Sequence, residues 1–154
     1  MDLHHDFKDL LAVFAEEGVR YLLVGGYAVG FHSRPRFTKD IDFWIADEPV
    51  NVERAFRALA RFGAPAEVLS QLKAMRHDEI FFMGAPPVRV DVLKHVDGVE
   101  FEDAYLNRVE AHWDGVRVHL MGLEDLMASK RAAGREQDLL DLKALERAKE
   151  GSKP

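Results

Sequence analysis

The chain contains no cysteine. That excludes a disulfide framework and any thiolate metal site, and it fits a reducing compartment. No apolar run approaches the roughly 18 residues that a membrane span needs. The N-terminal MDLHHDFKDL is acidic and polar, unlike a signal or transit peptide, so no membrane is expected and the expected location is cytoplasmic. Positive charge is in short supply too: 21 Lys and Arg face 27 Asp and Glu, a net charge of −6. A free-standing nucleic-acid binder is usually basic overall, so composition weighs against one. There is no Walker A Gly-Lys-Ser/Thr, no Gly-x-Gly-x-x-Gly fingerprint and no His-x-x-x-His metal spacing.

What remains is ordinary globular material, 47% hydrophobic and 31% charged over 154 residues. That is enough chain for one domain with its own core. The expected organisation is a single domain over 1–150 and a disordered tail at 151–154.

Phe7, Leu10, Leu11 and Phe14 fall at i, i+3, i+4, i+7 and predict a one-faced helix. Asp2 or Asp6 is its expected cap and Gly18 its stop. Arg20 to Val24 reads as a buried strand, broken by Gly25-Gly26. Tyr27 to His32 reads as a short helix ended by Ser-Arg-Pro-Arg. Phe37 to Ile45 alternates, with Ile41, Phe43 and Ile45 on one face and Asp40, Asp42 and Trp44 on the other. Pro49 opens a helix over Val52, Phe56, Leu59 and Phe62 that Gly63 closes. A shorter helix covers Ala66 to Met75. Glu79 to Met83 and Val88 to Leu93 read as a hairpin, with Arg89, Asp91 and Leu93 sharing a face. Phe101 to Leu106 is a turn or two of helix. Val109 to Trp113 and Val116 to Met121 flank Asp114-Gly115, a strong hairpin signal. Helices at Leu123 to Ala133 and Arg135 to Lys149 meet at Gly134. The predicted class is α+β, a small mixed sheet flanked by helices with a helical C-terminal part.

Asp40 and Asp42 leave the same face of their strand. Asp91 lies on the polar face of another, so adjacency of the two strands would bring three carboxylates together. Two carboxylates about 4 Å apart repel by roughly 4 kcal/mol at an effective dielectric near 20. Oxygen-only ligands favour Mg²⁺ or Mn²⁺ over zinc. Such an ion would bridge nucleotide phosphates, and Asp91 would be placed as a general base. The plainer alternative is the wet face of an edge strand. Gly25-Gly26, between a strand and a helix, suits close approach of a phosphate, or is an ordinary tight turn. Arg34, Arg36 and Lys39 offer phosphate contacts or a solvated loop. Trp44 could stack on a base, or be half-buried packing. His32, beside the nucleotide loop, is the one histidine of interest, with capping or packing its plainer role.

The stretch GGYAVGFHSRPRFTKDID resembles the nucleotidyltransferase superfamily related to DNA polymerase β. Within it the likeness is greatest to the AbiEii/AbiGii-type toxins and their single-domain relatives. Gly25, Gly26, Arg36, Thr38, Asp40, Asp42 and Asp91 match the family pattern. Gly26 stands where many members have serine, so backbone N–H would replace a hydroxyl in phosphate binding. Lys130 and the REQDLLD segment, with Arg135, Asp138 and Asp141, resemble the toxins' C-terminal motifs, although Gln137 replaces their usual lysine. The likeness spans Tyr21 to Leu142.

The resemblance implies a nucleotidyltransferase fold and NTP-dependent transfer of a nucleoside monophosphate, ATP being one such donor. It implies Asp40, Asp42 and Asp91 as metal ligands, and these with Lys130 and Asp138 as the catalytic set. Gly25, Gly26, Arg36, Thr38 and Lys130 are its nucleotide-binding residues. The acceptor would be RNA, such as a tRNA 3′ end, or a protein, and an antitoxin protein would be a partner. Lincosamide-type antibiotic nucleotidyltransferases resemble the same layout, so a small-molecule acceptor is an alternative. A non-catalytic nucleotide-binding regulator is another, against which the presence of all three carboxylates argues.

Periodicity speaks independently about the C-terminal residues. Lys130 and Asp138 both project from apolar arcs of their helices, and inward charges must be paired or neutralised. A Lys130–Asp138 contact is expected. It is a structural lock between helices, or a phosphate-binding lysine oriented by Asp138. Asp141, at the arc's edge, is expected to be solvated, and Arg135 to pair with Asp138 at i, i+3.

Overall fold

The computed structural model describes residues 4–35, 38–85 and 88–152. Among these the order is α1 (His5–Glu16), β1 (Tyr21–Val24), α2 (Gly25–His32), β2 (Asp40–Ile45), α3 (Pro49–Phe62), α4 (Ala66–Ala74), β3 (Ile80–Met83), β4 (Arg89–Leu93), α5 (Phe101–Leu106), β5 (Val109–Trp113), β6 (Val116–Leu120), α6 (Leu123–Ala133) and α7 (Glu136–Gly151). The strands form one mixed sheet in the order β3-β4-β2-β1-β6-β5. β2 runs parallel to β4 and β1 to β6, while β1–β2, β3–β4 and β5–β6 are antiparallel. The α+β class and the flanking helices agree with the alternation and periodicity of the sequence.

The sheet's two faces follow from the period of two. Tyr21, Leu23, Phe43 and Ile45 share one face through the β1–β2 register, and there Phe14 of α1 packs on Tyr21 and Phe43. The phenylalanines and leucines expected to bury α1 do so. The other face carries Val24, Asp42 and Trp44 from the same ladder. It is covered at the Trp44 end, where the indole packs edge-on against Phe101 of α5, and open at the aspartate end.

Several expectations give way. His4, not an aspartate, caps α1: its Nδ1 accepts from the Asp6 N–H at 3.1 Å. Asp2 lies outside the described residues. α3 buries Asn51, Ala55, Ala58 and Leu59 rather than the Val52–Phe56–Phe62 stripe. Small side chains let the helix approach the sheet closely, and the larger ones pack around its rim. Asn51 is satisfied there, accepting from the Arg20 N–H at 2.8 Å and donating to the carbonyls of Arg20 and Ala46. Trp44 is only 1% exposed, so it is core rather than a half-buried or base-stacking residue. Asp114 and Gly115 both take positive φ, as the tight β5–β6 turn requires. α7 runs as far as Gly151.

Candidate active site

The β2–β4 register places Asp42 directly beside Asp91, and Asp40 beside Arg89. Strand adjacency therefore delivers the convergence that sequence could state only conditionally. Asp40, Asp42 and Asp91 each offer a carboxylate oxygen, and these oxygens lie within 4.8 Å of one another. Burial, then the hydrogen bond and charge of Asp91, then the charge of Asp40, push the Asp42 carboxyl up to about 8, with Lys130 opposing. Three hard oxygen donors at this spacing, with no soft ligand among them, fit a small divalent cation such as Mg²⁺ or Mn²⁺. Arg89 partly offsets the charge: its Nε donates to Asp91 Oδ1 at 2.9 Å.

Gly25 shapes the site as much as the carboxylates do. Val24 pairs with Asp42, and the chain leaves β1 through Gly25 at φ +66°. A Cβ at Gly25 would overlap Asp42 Oδ2 and lie 2.8 Å from its Cγ. Only glycine accepts both that backbone and that neighbour. α2 begins at the same residue and no described side chain caps it, so its first-turn N–H groups point outward as an anion site would need.

These elements open onto a cleft of about 780 Å³, walled on the far side by α6 and α7. Lys130 reaches across, with Nζ 3.4 Å from Asp138 Oδ1 and 3.1 Å from Asp141 Oδ2. Asp138 also accepts from Arg135, at 2.7 Å from Nε and 3.2 Å from the backbone N–H. Burial works against the Asp138 charge, but Arg135 and Lys130 outweigh it and hold its carboxyl below the usual carboxylate range. Asp141 accepts from Gln137 Nε2 at 2.9 Å. Asp138 and Asp141 are 2% and 3% exposed. The expected Lys130–Asp138 and Arg135–Asp138 contacts are present, whereas Asp141 is buried rather than solvated.

The sequence model of one protein family, described as "Nucleotidyl transferase of unknown function (DUF2204)", matches residues 4–153. The chain belongs to this family. No curated protein matches it. The chain is thus a nucleotidyltransferase, and its carboxylate cluster is a candidate catalytic metal centre. The likeness to the AbiEii/AbiGii subtype is not carried by the family match.

Of the remaining expected site residues in this nucleotidyltransferase, Gly25 lines the cleft, while Gly26 and Thr38 are not among its described lining residues. Thr38 is half-buried just ahead of β2. Arg36 lies outside the described residues. Arg34 lines a separate depression with Ser33, Pro35 and Arg147. His32 is a packing residue: its Nε2 lies 2.8 Å from the Met121 carbonyl, and burial lowers its pKa. Arg89, which shares the polar face of β4 with Asp91, was not among the expected site residues. Its alternation with Asp91 on β4 was the available signal, since i and i+2 share a face. No helix among the described residues is long and apolar enough to cross a membrane.

Proposed function

We propose that this protein transfers a nucleoside monophosphate from an NTP to an acceptor hydroxyl in a Mg²⁺- or Mn²⁺-dependent reaction. The convergence of Asp40, Asp42 and Asp91 beside the uncapped start of α2 carries the reading. Asp40 and Asp42, with Asp91, would hold the cation. When bound, it supplies Lewis-acid stabilisation of negative charge at the α-phosphate and leaving group. Gly25 and the first turn of α2 receive phosphate oxygens on backbone N–H groups. Lys130, held by Asp138 and Asp141, adds positive charge from the opposite wall. The acceptor oxygen attacks the α-phosphorus and forms the new O–P bond. The bond to the bridging oxygen breaks, pyrophosphate leaves with that electron pair, and Asp91 takes the hydroxyl proton.

The resemblance to AbiEii-type toxins supports an RNA or protein acceptor, a role in a toxin–antitoxin or phage-defence pair, and an antitoxin partner. A small-molecule acceptor, as in the lincosamide-type enzymes, is favoured instead by the charge of the cleft. Its lining carries the triad, Asp138 and Asp141, and also Asp78, Glu79 and Asp97, against Lys130 and Arg135.

The test is transfer of label from each α-labelled NTP with Mg²⁺, offered total RNA, protein and hydroxylated small molecules, with pyrophosphate release followed in parallel. Asp42→Asn should abolish transfer. Equal transfer by the variant, or none with any acceptor, sinks the nucleotidyltransfer reading.

A further inference from the structure

The side of the cleft beyond Asp91 differs from the side that holds Lys130. β3 is the edge strand of the sheet. Its register sets Phe82 opposite Asp91 and Ile80 opposite Leu93. Directly opposed residues share a face, so Ile80 and Leu93, which line the cleft, and Phe82, which continues their face just beyond its lining, form an apolar strip beside Asp91. Ile80 is 59% and Phe82 57% exposed, while Phe81 between them is buried on the other face. Soluble proteins commonly protect an exposed edge with charge, yet here the open face of the edge strand carries an isoleucine and an aromatic ring. The Arg89 guanidinium lies 4.6 Å from the Phe82 ring centroid while its Nε holds Asp91, which ties the strip to the third carboxylate.

The rim around this strip is acidic. Asp78, Glu79 and Asp97 all line the cleft there. Arg76 serves two of them, its Nε 3.2 Å from Glu79 and 3.9 Å from Asp78. Asp97 has the His95 ring, with Nε2 at 3.0 Å. Arg135 acts on Asp97 at longer range while its own bonds go to Asp138, so three carboxylates share Arg76 and part of the field of Arg135, which leaves a negative surplus.

We infer that the Ile80–Phe82–Leu93 strip is the acceptor subsite and that the acceptor is a small, hydroxyl-bearing molecule with an apolar face and an amine. The inference rests on the transfer reading above and names its acceptor class. Phosphates held between α2 and Lys130 leave the β3 side as the approach to Asp91. An apolar face laid on Ile80 and Phe82 removes their exposed surface from water. An ammonium group then falls among Asp78, Glu79 and Asp97, within the roughly 8 Å over which charges act at physiological salt. A polynucleotide would set its phosphates against those same carboxylates. Its binding is driven by lysines and arginines that displace counterions, and on this side Arg89 and Arg76 already hold carboxylates. The acceptor's hydroxyl, set against Asp91, supplies the attacking oxygen and passes its proton to the Asp91 carboxylate, with pyrophosphate leaving as described.

The experiment uses the full chain with Mg²⁺ and α-labelled NTP. One arm offers a panel of amine-bearing hydroxylated amphiphiles, including a lincosamide, one a single-stranded oligoribonucleotide with a free 3′ hydroxyl, and one a protein extract. Label is expected in the amine arm. Label confined to RNA or protein overturns the inference and leaves the transfer reading intact. Label in no arm removes the transfer reading itself. With the labelled amine, Ile80→Ser/Phe82→Ser should raise the acceptor KM roughly tenfold or more, and Glu79→Gln should raise it also, while the KM for NTP stays put. Both positions are exposed, so folding is expected to survive and is checked by circular dichroism. An unchanged acceptor KM, or a change in sedimenting mass in its place, overturns the inference and makes the strip a protein interface.

Discussion

Asp42 and Gly25 show how little room the site leaves at the residue scale. The carboxylate occupies the space a Cβ at Gly25 would need. Gly25→Ala combines a positive-φ penalty of about 1–2 kcal/mol with displacement of Asp42. The expected result is a folded protein whose label transfer falls by more than about 100-fold, because misplacement of a reacting group by about 1 Å has that effect. Asp42 itself is under tension without a cation. Its carboxyl is raised from 3.8 to about 8, first by burial and then by Asp91 and Asp40. A raised folded-state value means the native protein binds the proton more tightly than the unfolded chain does across that window. Stability is therefore lost as pH rises through it. Asn carries no such charge, so metal-free Asp42→Asn should melt higher than the parent at pH 8, by roughly 2–8 °C. The gap should close towards pH 4. Calorimetry at both pH values decides this, and a gap that widens on acidification would refute it.

The element scale belongs to α6 and α7. Lys130, near the end of α6, meets Asp138 and Asp141 on successive turns of α7. Removing the cation leaves Asp138 with Arg135 as its cationic partner and takes from Asp141 the ammonium 3.1 Å away, so the loss is about 3 kcal/mol, the low end of the cost of breaking a buried pair. Lys130→Ala should therefore lower the melting temperature by roughly 6–15 °C, and Lys130→Ala with Asp138→Asn and Asp141→Asn should recover much of that loss. On the phosphate-binding role proposed for Lys130, activity should not return with the triple variant. Chemical denaturation beside label transfer separates the two effects. This pairing was partly legible in the sequence, since both Lys130 and Asp138 interrupt apolar arcs. Asp141 was misread because a helical wheel records angle only, and the wall formed by α6 covers that angle. Trp44 was misjudged for a related reason: alternation put it on the face of the aspartates, but only the placement of α5 closes that end of the face. The Asp-x-Asp strand was legible because its partners Ile41, Phe43 and Ile45 alternate cleanly. That Asp91 stands level with Asp42 is a fact of strand order and register, which no local pattern encodes.

At the scale of the whole molecule, the fold assembles negative charge that Arg89 and Lys130, among the described residues, only partly offset. Asp40 and Asp42 come from β2 and Asp91 from β4, and the parallel pairing of these strands fixes the carboxylates side by side. Arg89 forms its direct ion pair with Asp91 and acts on Asp40 and Asp42 only through space. A divalent cation bound only by the native state must then stabilise the fold, by about 2.7 kcal/mol at 100 times its Kd, or roughly 5–10 °C for a domain of this size. Below the raised value of Asp42, near 8, the cation has to displace the proton on the Asp42 carboxyl. Affinity should therefore rise between pH 6 and pH 8 rather than stay level. Titration calorimetry with Mn²⁺ at pH 7, in two buffers of different ionisation enthalpy, should register a proton released into solution. Asp42→Asn should weaken Mn²⁺ binding and abolish that release. A release that persists in the variant would place the proton elsewhere, and a Mn²⁺ affinity independent of pH would show that Asp42 carries none in this range.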